Sequence, residues 1–119
     1  MEPARTPVLR ASALDELLDN IGPEGVVDLI QTYLDDTPEQ LRQLRSAVEA
    51  GDAIVVHRTA HSLKSSSAIF GADGMAALCL ELEQAAAAGS LDGAASGAGK
   101  IAAEFERARL VLEEELDRH

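Results

Sequence analysis

The sequence has few aromatic residues and a single cysteine, and both shortages exclude classes of protein. Only 3% of the 119 residues are aromatic, and there is no tryptophan. Proteins that bind nucleic acid by stacking bases on aromatic side chains therefore have no counterpart here. The lone cysteine, Cys79, cannot form a disulfide within the chain. Nothing indicates secretion, and a reducing compartment is expected.

Basic residues and long apolar runs are also scarce. Ten Lys and Arg stand against 21 Asp and Glu, which gives a formal net charge of −11. Such a charge disfavours binding to nucleic acid or to an anionic membrane, and suits a partner with a basic patch or a metal-bound site. No apolar run approaches the roughly 18 residues of a membrane span, and MEPARTPVLR lacks an apolar signal region. We expect a cytoplasmic protein.

Apolar residues instead recur at helical spacing. After a flexible leader at residues 1–10, SALDELLDNIG predicts a short helix that Gly22 ends. The next apolar stripe crosses Pro38 in steps of three and four without a change of register, through Ile30, Leu34, Thr37, Leu41, Leu44 and Val48. This favours one helix from about 24 to 50, bent at Pro38. The alternative is two helices, with Thr37 capping the second.

Three more helices are predicted downstream. Asp52 caps a helix that runs to Phe70, and Asp73 caps another from Gly74 to about Ala88. SLDGAASGAG is predicted to be a flexible connection, and a last helix starts at about Lys100. No strand pattern is present, and the connections are short. The expected fold is all-α, an antiparallel four-helix bundle with a short extra N-terminal helix.

The stretch VVHRTAHSLKSSSAIFGA, residues 55–72, has a core face and an unusual polar face. At ~100° per residue, the core face holds Val56, Thr59, Ala60, Leu63, Ser67 and Phe70. The other face holds His57, His61, Lys64, Ser65 and Ala68. His61 faces water, with Lys64 one turn on to attract an anion. The small side chains of Ser65 and Ala68 would let another protein approach the imidazole closely.

The turn at Ala72 aligns this helix with the next. In an antiparallel pair, residues whose numbers add up to about 144 lie at one height. His61 then lies opposite Glu83, and Lys64 lies opposite Leu80. Glu83 could accept a hydrogen bond from one ring nitrogen of His61, which would fix the tautomer and leave the other nitrogen as a nucleophile. Leu80 would add an apolar contact.

A metal site is the rival interpretation of the same residues. His57 and His61 have the i, i+4 spacing of metal ligands, and Glu83 could be a third. However, the sequence has no H-E-x-x-H motif, and Lys64 would repel a cation. We therefore predict no metal, and His57 is interpreted as a bystander or as a rim contact for a partner.

The stretch AHSLKSSSAIFGADGMAALCLELEQAAAAG resembles the signature of histidine-containing phosphotransfer (HPt) domains. That signature is roughly A-H-x-L-K-G-x-x-x-x-x-G, followed by a leucine–glutamate pair on the next helix. The likeness extends over about residues 14–116, within a predicted domain at residues 11–118. It implies that His61 is phosphorylated, that Lys64 offsets charge on the transferring oxygens and that Glu83 orients the imidazole. The family's glycine after the lysine is Ser65 here.

The resemblance implies a relay intermediate with no ATP-binding site of its own, not a stand-alone enzyme. His61 would take a phosphoryl group from one receiver-domain aspartate and pass it to another. The partners would be receiver domains or a hybrid histidine kinase. Mg²⁺ would come from the receiver, the chain would need no cofactor, and it would be a monomer. The docking surface would include Ser65, Ala68 and Leu80, with the N-terminal helix near Leu14 or Leu17 to Leu18.

A helical bundle that binds a receiver or kinase without accepting phosphate is the alternative from a different functional class. The two interpretations differ at the polar face of the predicted third helix. A module that only binds would not need a histidine there, and this chain has both His61 and Lys64. The sequence therefore favours phosphotransfer.

Overall fold

Four α-helices form the protein in the computed structural model, which describes residues 8–119. They are α1 (Ala11–Ala50), α2 (Ala53–Ile69), α3 (Asp73–Ala87) and α4 (Ala94–Asp117). Neighbouring helices pack closely in the cyclic order α1, α2, α3, α4, so α2 and α4 lie diagonally opposite each other in the bundle. The predicted antiparallel four-helix bundle is confirmed. None of the helices between residues 8 and 119 combines the length and apolar character that a membrane span requires.

A break at Gly22 divides α1 into two parts. Gly22 has φ 75° and ψ 171°, a conformation outside the helical region that glycine adopts without steric cost from a Cβ. Pro23 follows as the first residue of the next helical segment, where a missing N–H does no harm. The short extra helix is therefore residues 11–21, and the long helix is residues 23–50.

The long part of α1 continues through Pro38, as its apolar register predicted. All residues around the proline keep helical backbone angles, and Gly22 is the one exception in α1. The alternative with two helices and a Thr37 cap is wrong. Thr37 is buried, and its hydroxyl donates a hydrogen bond to the carbonyl oxygen of Tyr33 at 2.6 Å. The threonine thus faces the core inside a continuous helix.

The caps of α2 and α3 differ from one another. The Asp52 carboxylate accepts the backbone N–H of Val55 at 3.2 Å, which is the predicted cap of α2. Asp73 was predicted to cap α3, but it is the first residue of the helix, and Ala72 occupies the cap position without a side-chain bond. The Asp73 carboxylate instead accepts a hydrogen bond from Arg10 Nε at 3.1 Å.

The start of α4 corrects the predicted flexible connection. The helix begins at Ala94, well before the expected start near Lys100. Ala94 and Ala98 are buried in line with Ile101 and Phe105, so small residues extend the apolar stripe upstream. Packing against the bundle outweighs the low helix propensity of the glycines in this segment.

The end of the predicted leader packs on the turn between α2 and α3. Residues 1–7 lie outside the described residues. Leu9 is buried, and the backbone N–H of Arg10 donates to the carbonyl oxygen of Gly71 at 2.9 Å. A Cβ on Gly71, which has φ 70°, would lie 2.8 Å from the Cβ atoms of Arg10 and Ala13. Residues 8–10 thus belong to the bundle.

The core next to α2 contains all three aromatic rings of the chain. The ring of Tyr33 lies 5.0 Å from that of Phe70 and 5.7 Å from that of Phe105. Its hydroxyl hydrogen-bonds the Ser67 hydroxyl at 2.9 Å and donates weakly to Met75 Sδ at 3.4 Å. Burial raises the pKa of Tyr33 to about 12. These contacts tie α1, α2 and α3 together and fix the rotation of α2 about its axis.

Candidate functional site

The faces of α2 divide as the helical wheel predicted. The six residues of the predicted core face are all buried: Val56, Thr59, Ala60, Leu63, Ser67 and Phe70. Burial of this face turns the opposite one toward solvent. The side chain of His61 is 57% exposed, although it lies on a helix that is anchored along its whole length. The imidazole is thus accessible and is supported by a rigid element.

Glu83 on α3 is the centre of the polar contacts around His61. The residue is only 7% exposed. Its Oε1 accepts a hydrogen bond from Nδ1 of His61, and its Oε2 accepts one from Nζ of Lys64 at 2.7 Å. The structure thus brings together the three residues that the sequence placed in one site.

The ionisation of Glu83 follows from these contacts. The hydrogen bond from Lys64 lowers the pKa of the Glu83 carboxyl below its ordinary value; burial opposes this shift, and the bond from His61 adds to it. The group is therefore a carboxylate at neutral pH. A carboxylate can only accept hydrogen bonds, so Nδ1 of His61 carries the proton. In the neutral imidazole, Nε2 then holds the free lone pair.

This arrangement can perform nucleophilic chemistry on an anion. Nε2 of His61 makes no hydrogen bond with any residue of the described chain, and the ring is oriented by the bond on its other nitrogen. Lys64 is one turn along α2, with a side chain that is 27% exposed. Its ammonium has three donors, of which Glu83 takes one. The other two remain available to oxygens of a group on Nε2.

The residues expected at the docking surface differ in their exposure. Ser65 and Ala68 are exposed on α2, and the Ser65 hydroxyl donates to the carbonyl oxygen of His61 at 3.1 Å. Leu80 on α3 is 39% exposed. The leucines of the N-terminal helix lie partly buried against the core, at positions 14, 17 and 18. Small side chains therefore follow His61 on the exposed face of α2, and α3 presents one exposed leucine.

The rival metal interpretation depends on the acidic and imidazole groups of the site. Between residues 8 and 119, no group of three or more His, Cys, Asp or Glu side chains has the spacing to hold a metal ion. Glu83, the expected third ligand, is instead bonded to the ammonium of Lys64. A cation at this carboxylate would have to displace the lysine, which weakens the rival interpretation on physical grounds.

His57 lies closer to the site than the sequence indicated. Its Nε2 is 4.0 Å from Oε1 of Glu83, and its side chain is 45% exposed. The i, i+4 spacing between His57 and His61 follows from the sequence, but the distance from His57 to Glu83 depends on how closely α3 packs beside α2. Cys79 is buried beneath the site, and burial raises the pKa of its thiol to about 12. It is a core residue, as expected.

Known proteins are similar to this chain in sequence. The model of the Hpt domain matches residues 28–118. The phosphorelay protein LuxU of Vibrio cholerae serotype O1 is 32% identical over 83 residues, which are 70% of this chain and 74% of that protein. LuxU of Vibrio harveyi is 28% identical over 86 residues, 72% of this chain and 75% of that protein.

A solved structure agrees over almost the full length. The crystal structure of histidine-containing phosphotransfer protein B (HptB) from Pseudomonas aeruginosa PAO1 matches with a TM-score of 0.90 and 35% identity. The match covers 97% of this chain and 99% of that one. The chain therefore belongs to the Hpt domain family. Within that class it is a histidine phosphotransfer protein of a phosphorelay, as the sequence predicted.

Proposed function

We propose that His61 is the residue that carries the phosphoryl group in this relay. The observation that supports this most directly is the hydrogen bond from Nδ1 of His61 to the buried carboxylate of Glu83. It assigns the proton to Nδ1 and leaves Nε2 as the exposed nucleophile. Neither of the other two histidines combines such a bond with comparable exposure on α2, since His57 approaches Glu83 only to 4.0 Å and His119 is C-terminal.

The transfer step follows from this tautomer. Nε2 attacks the phosphorus of an aspartyl phosphate on a receiver domain, in line with the bond to the leaving carboxylate oxygen. The N–P bond forms, the P–O bond to the aspartate breaks, and the aspartate leaves as a carboxylate. The phosphorylated imidazole keeps its proton on Nδ1 and carries a positive charge, which the Glu83 carboxylate stabilises. The reverse sequence passes the group to a second receiver.

Lys64 acts on the phosphoryl oxygens in this proposal. Its ammonium holds Oε2 of Glu83 at 2.7 Å and keeps two donors for the oxygens of the transferring group. The lysine thus links the orienting carboxylate to the phosphoryl group. The charge on the transferring oxygens is spread over three atoms, so a nearby point charge lowers the energy of the transition state.

The proposal extends to the partners and to what the chain lacks. We propose that receiver domains, with or without a hybrid histidine kinase, exchange phosphoryl groups with this protein in the cytoplasm. The chain would act as a monomeric intermediate, without an ATP site, cofactor or metal of its own, and Mg²⁺ would be supplied by the receiver. Ser65, Ala68, Leu80 and His57 would form the part of the docking surface next to His61. Their exposure around the imidazole supports this role.

Transfer from a charged receiver tests the proposal. A receiver domain carrying radiolabelled aspartyl phosphate is mixed with the wild type, His61→Gln or His57→Gln. The label should move to the wild type and to His57→Gln as an adduct that is stable in base and labile in acid, and not to His61→Gln. Label on His61→Gln but not on His57→Gln would assign the reaction to His57. Binding of receivers without labelling of the wild type would support the interaction module.

A further inference from the structure

The helix that bears His61 differs in charge from the rest of the protein. α2 contains Arg58 and Lys64 and no Asp or Glu. The other eight Lys and Arg share the remaining chain with all 21 Asp and Glu. The exposed face of α2 is therefore a strip without acidic side chains on a strongly acidic molecule. Exposed residues recur along that face at positions 54, 58, 61, 62, 65, 68 and 69.

Arg58 is the exposed cation of this strip. It lies three residues before His61, about 5 Å along the helix axis and on the same face. Lys64 is bonded to Glu83, and most other arginines between residues 8 and 119 are paired with acidic side chains, as Arg109 is with Glu106; Arg45 on α1 is the exception. Arg58 forms no ion pair with any residue from 8 to 119. Its guanidinium is thus available to an acidic group on another molecule.

Ile54 adds an apolar anchor at the same end of α2. It is 71% exposed, the most exposed of the large apolar side chains in the described chain. It lies seven residues before His61, about 10 Å along the axis and almost directly in line with it. A shallow open depression beside it is lined by Ala53, His57, Ala86, Ala87 and Gly89. A protruding side chain next to a depression is a shape that a partner surface can match.

A receiver that reaches His61 will also cover these residues. A specific interface buries about 800 Å² on each partner, which corresponds to a disc of about 16 Å radius. Ile54 and Arg58 both lie inside such a disc centred on Nε2. The receiver must also present its aspartyl phosphate together with carboxylates that hold Mg²⁺. The surface that approaches α2 is therefore acidic around the reacting group, which complements Arg58.

We propose that Ile54 and Arg58 form a second docking element for the receiver, on the N-terminal side of His61. This inference rests on the proposed function. The element favours receivers that have an apolar patch beside an acidic rim around their phosphorylated aspartate. Ile54 supplies buried apolar area and lowers the dissociation rate, whereas Arg58 raises the association rate and selects against basic surfaces. Neither residue touches the reacting atoms.

Two substitutions with matched controls test this element. Ile54→Ser is compared with Leu110→Ser, since Leu110 is 56% exposed on α4, the helix diagonal to α2. Arg58→Glu is compared with Arg45→Glu, which makes the same change of charge at an exposed arginine without an ion pair among residues 8–119. Arg45 lies in the groove between α1 and α4. All four sites are exposed, and circular dichroism confirms that each variant is folded.

The measurement is the Kd for a receiver domain that labels the wild type after charging with acetyl phosphate. Ile54→Ser should raise Kd about 5- to 30-fold. Arg58→Glu should raise it about tenfold at low ionic strength, and the difference should shrink in about 0.5 M salt. Both controls should stay within about twofold of the wild type. In transfer assays, the rise in KM for the receiver should exceed the fall in kcat.

Two results would overturn the inference. If Ile54→Ser and Leu110→Ser have the same Kd for the receiver, the N-terminal end of α2 is not part of the interface. If Arg45→Glu weakens binding as much as Arg58→Glu, the effect comes from net charge and not from a contact. Failure of the proposed function looks different, because it appears in the wild type as binding without labelling, or in His61→Gln as labelling that persists.

Discussion

At the scale of single residues, Glu83 joins the polar groups of the site. One buried carboxylate accepts hydrogen bonds from both His61 and Lys64, so it sets the tautomer of the ring and the position of the ammonium. Glu81, two residues earlier on α3, is exposed and outside these contacts. The difference between these two glutamates follows from the rotation of α3, which turns one toward α2 and the other toward solvent.

Replacing Glu83 should reduce transfer without removing the nucleophile. In Glu83→Ala, the ring of His61 loses its orienting acceptor, and we expect the rate of transfer from a charged receiver to fall about 10- to 100-fold. Glu81→Ala is the control and should transfer at the wild-type rate. Rapid-quench measurement of the phosphorylated protein gives both rates. Equal rates in the two variants would show that the carboxylate does not orient the imidazole.

The lowered pKa of Glu83 also predicts how stability depends on pH. A group whose pKa is lower in the folded state than in the unfolded state stabilises the fold above its unfolded pKa, about 4.3, and loses this contribution as the pH falls through the folded value. Glu83→Gln should therefore be less stable than the wild type at pH 7, and the two should converge in acid below the folded value. Urea unfolding at a series of pH values measures the difference, and a constant gap across the series would contradict this linkage.

At the scale of elements, the turn between α2 and α3 holds the N-terminal helix in place. Gly71 satisfies two conditions at once, because it has a positive φ and faces the Cβ atoms of Arg10 and Ala13. Gly89, after α3, has a similar φ of 79° but no atom within 4 Å of the position of a Cβ. Alanine substitutions at Gly71 and at Gly89 therefore separate the free-energy cost of backbone strain from that of a steric clash.

Gly71→Ala should destabilise the protein more than Gly89→Ala. The left-handed backbone costs about 1–2 kcal/mol for an alanine in either position. The contact at 2.8 Å adds about 1–3 kcal/mol at Gly71 alone, because the N-terminal helix must move away from the turn. Urea unfolding gives both free energies. Equal decreases in the free energy of unfolding would mean that the N-terminal helix moves away from the turn at no measurable cost.

The helices could be predicted from the sequence to different degrees. The long apolar stripe across Pro38 was a reliable guide, because a continuous register outweighs one missing hydrogen bond. The start of α4 was predicted too late, since Ala94 and Ala98 give a weak apolar signal and become buried only through packing. The cap at Asp73 was wrong for a similar reason, because the residue pairs with Arg10, 63 positions away.

At the scale of the whole molecule, access to His61 is a property of the bundle. Burial of one face of α2 between α1 and α3 leaves the opposite face in contact with solvent, and small side chains keep that face low. The proximity of His61 to Lys64 and to Glu83 could be predicted from helix spacing and one turn, whereas the bond from Lys64 to Glu83 was not predicted, because that alignment placed Lys64 opposite Leu80. The separation of 4.0 Å between His57 and Glu83 could not be predicted, because it depends on the distance between two packed helices.

A bulky side chain next to His61 should block a partner without changing the fold. Ser65→Trp places an indole beside the imidazole on the exposed face of α2, so transfer from a charged receiver should fall at least about tenfold through weaker docking. Ser96→Trp, on an exposed position of α4, is the control and should transfer normally. Unchanged transfer in Ser65→Trp would show that the receiver does not approach over this residue.

Because its single thiol is buried, the protein can be labelled with a dye at one introduced cysteine. Cys79 is enclosed in the core, and with its pKa raised to about 12 it is protonated at neutral pH, so a maleimide dye should leave the native chain unmodified. In Leu110→Cys, one dye would then attach at a defined position on α4. Because α4 lies diagonally opposite α2 in the bundle, fluorescence energy transfer to a labelled receiver would report docking while the surface around His61 stays free.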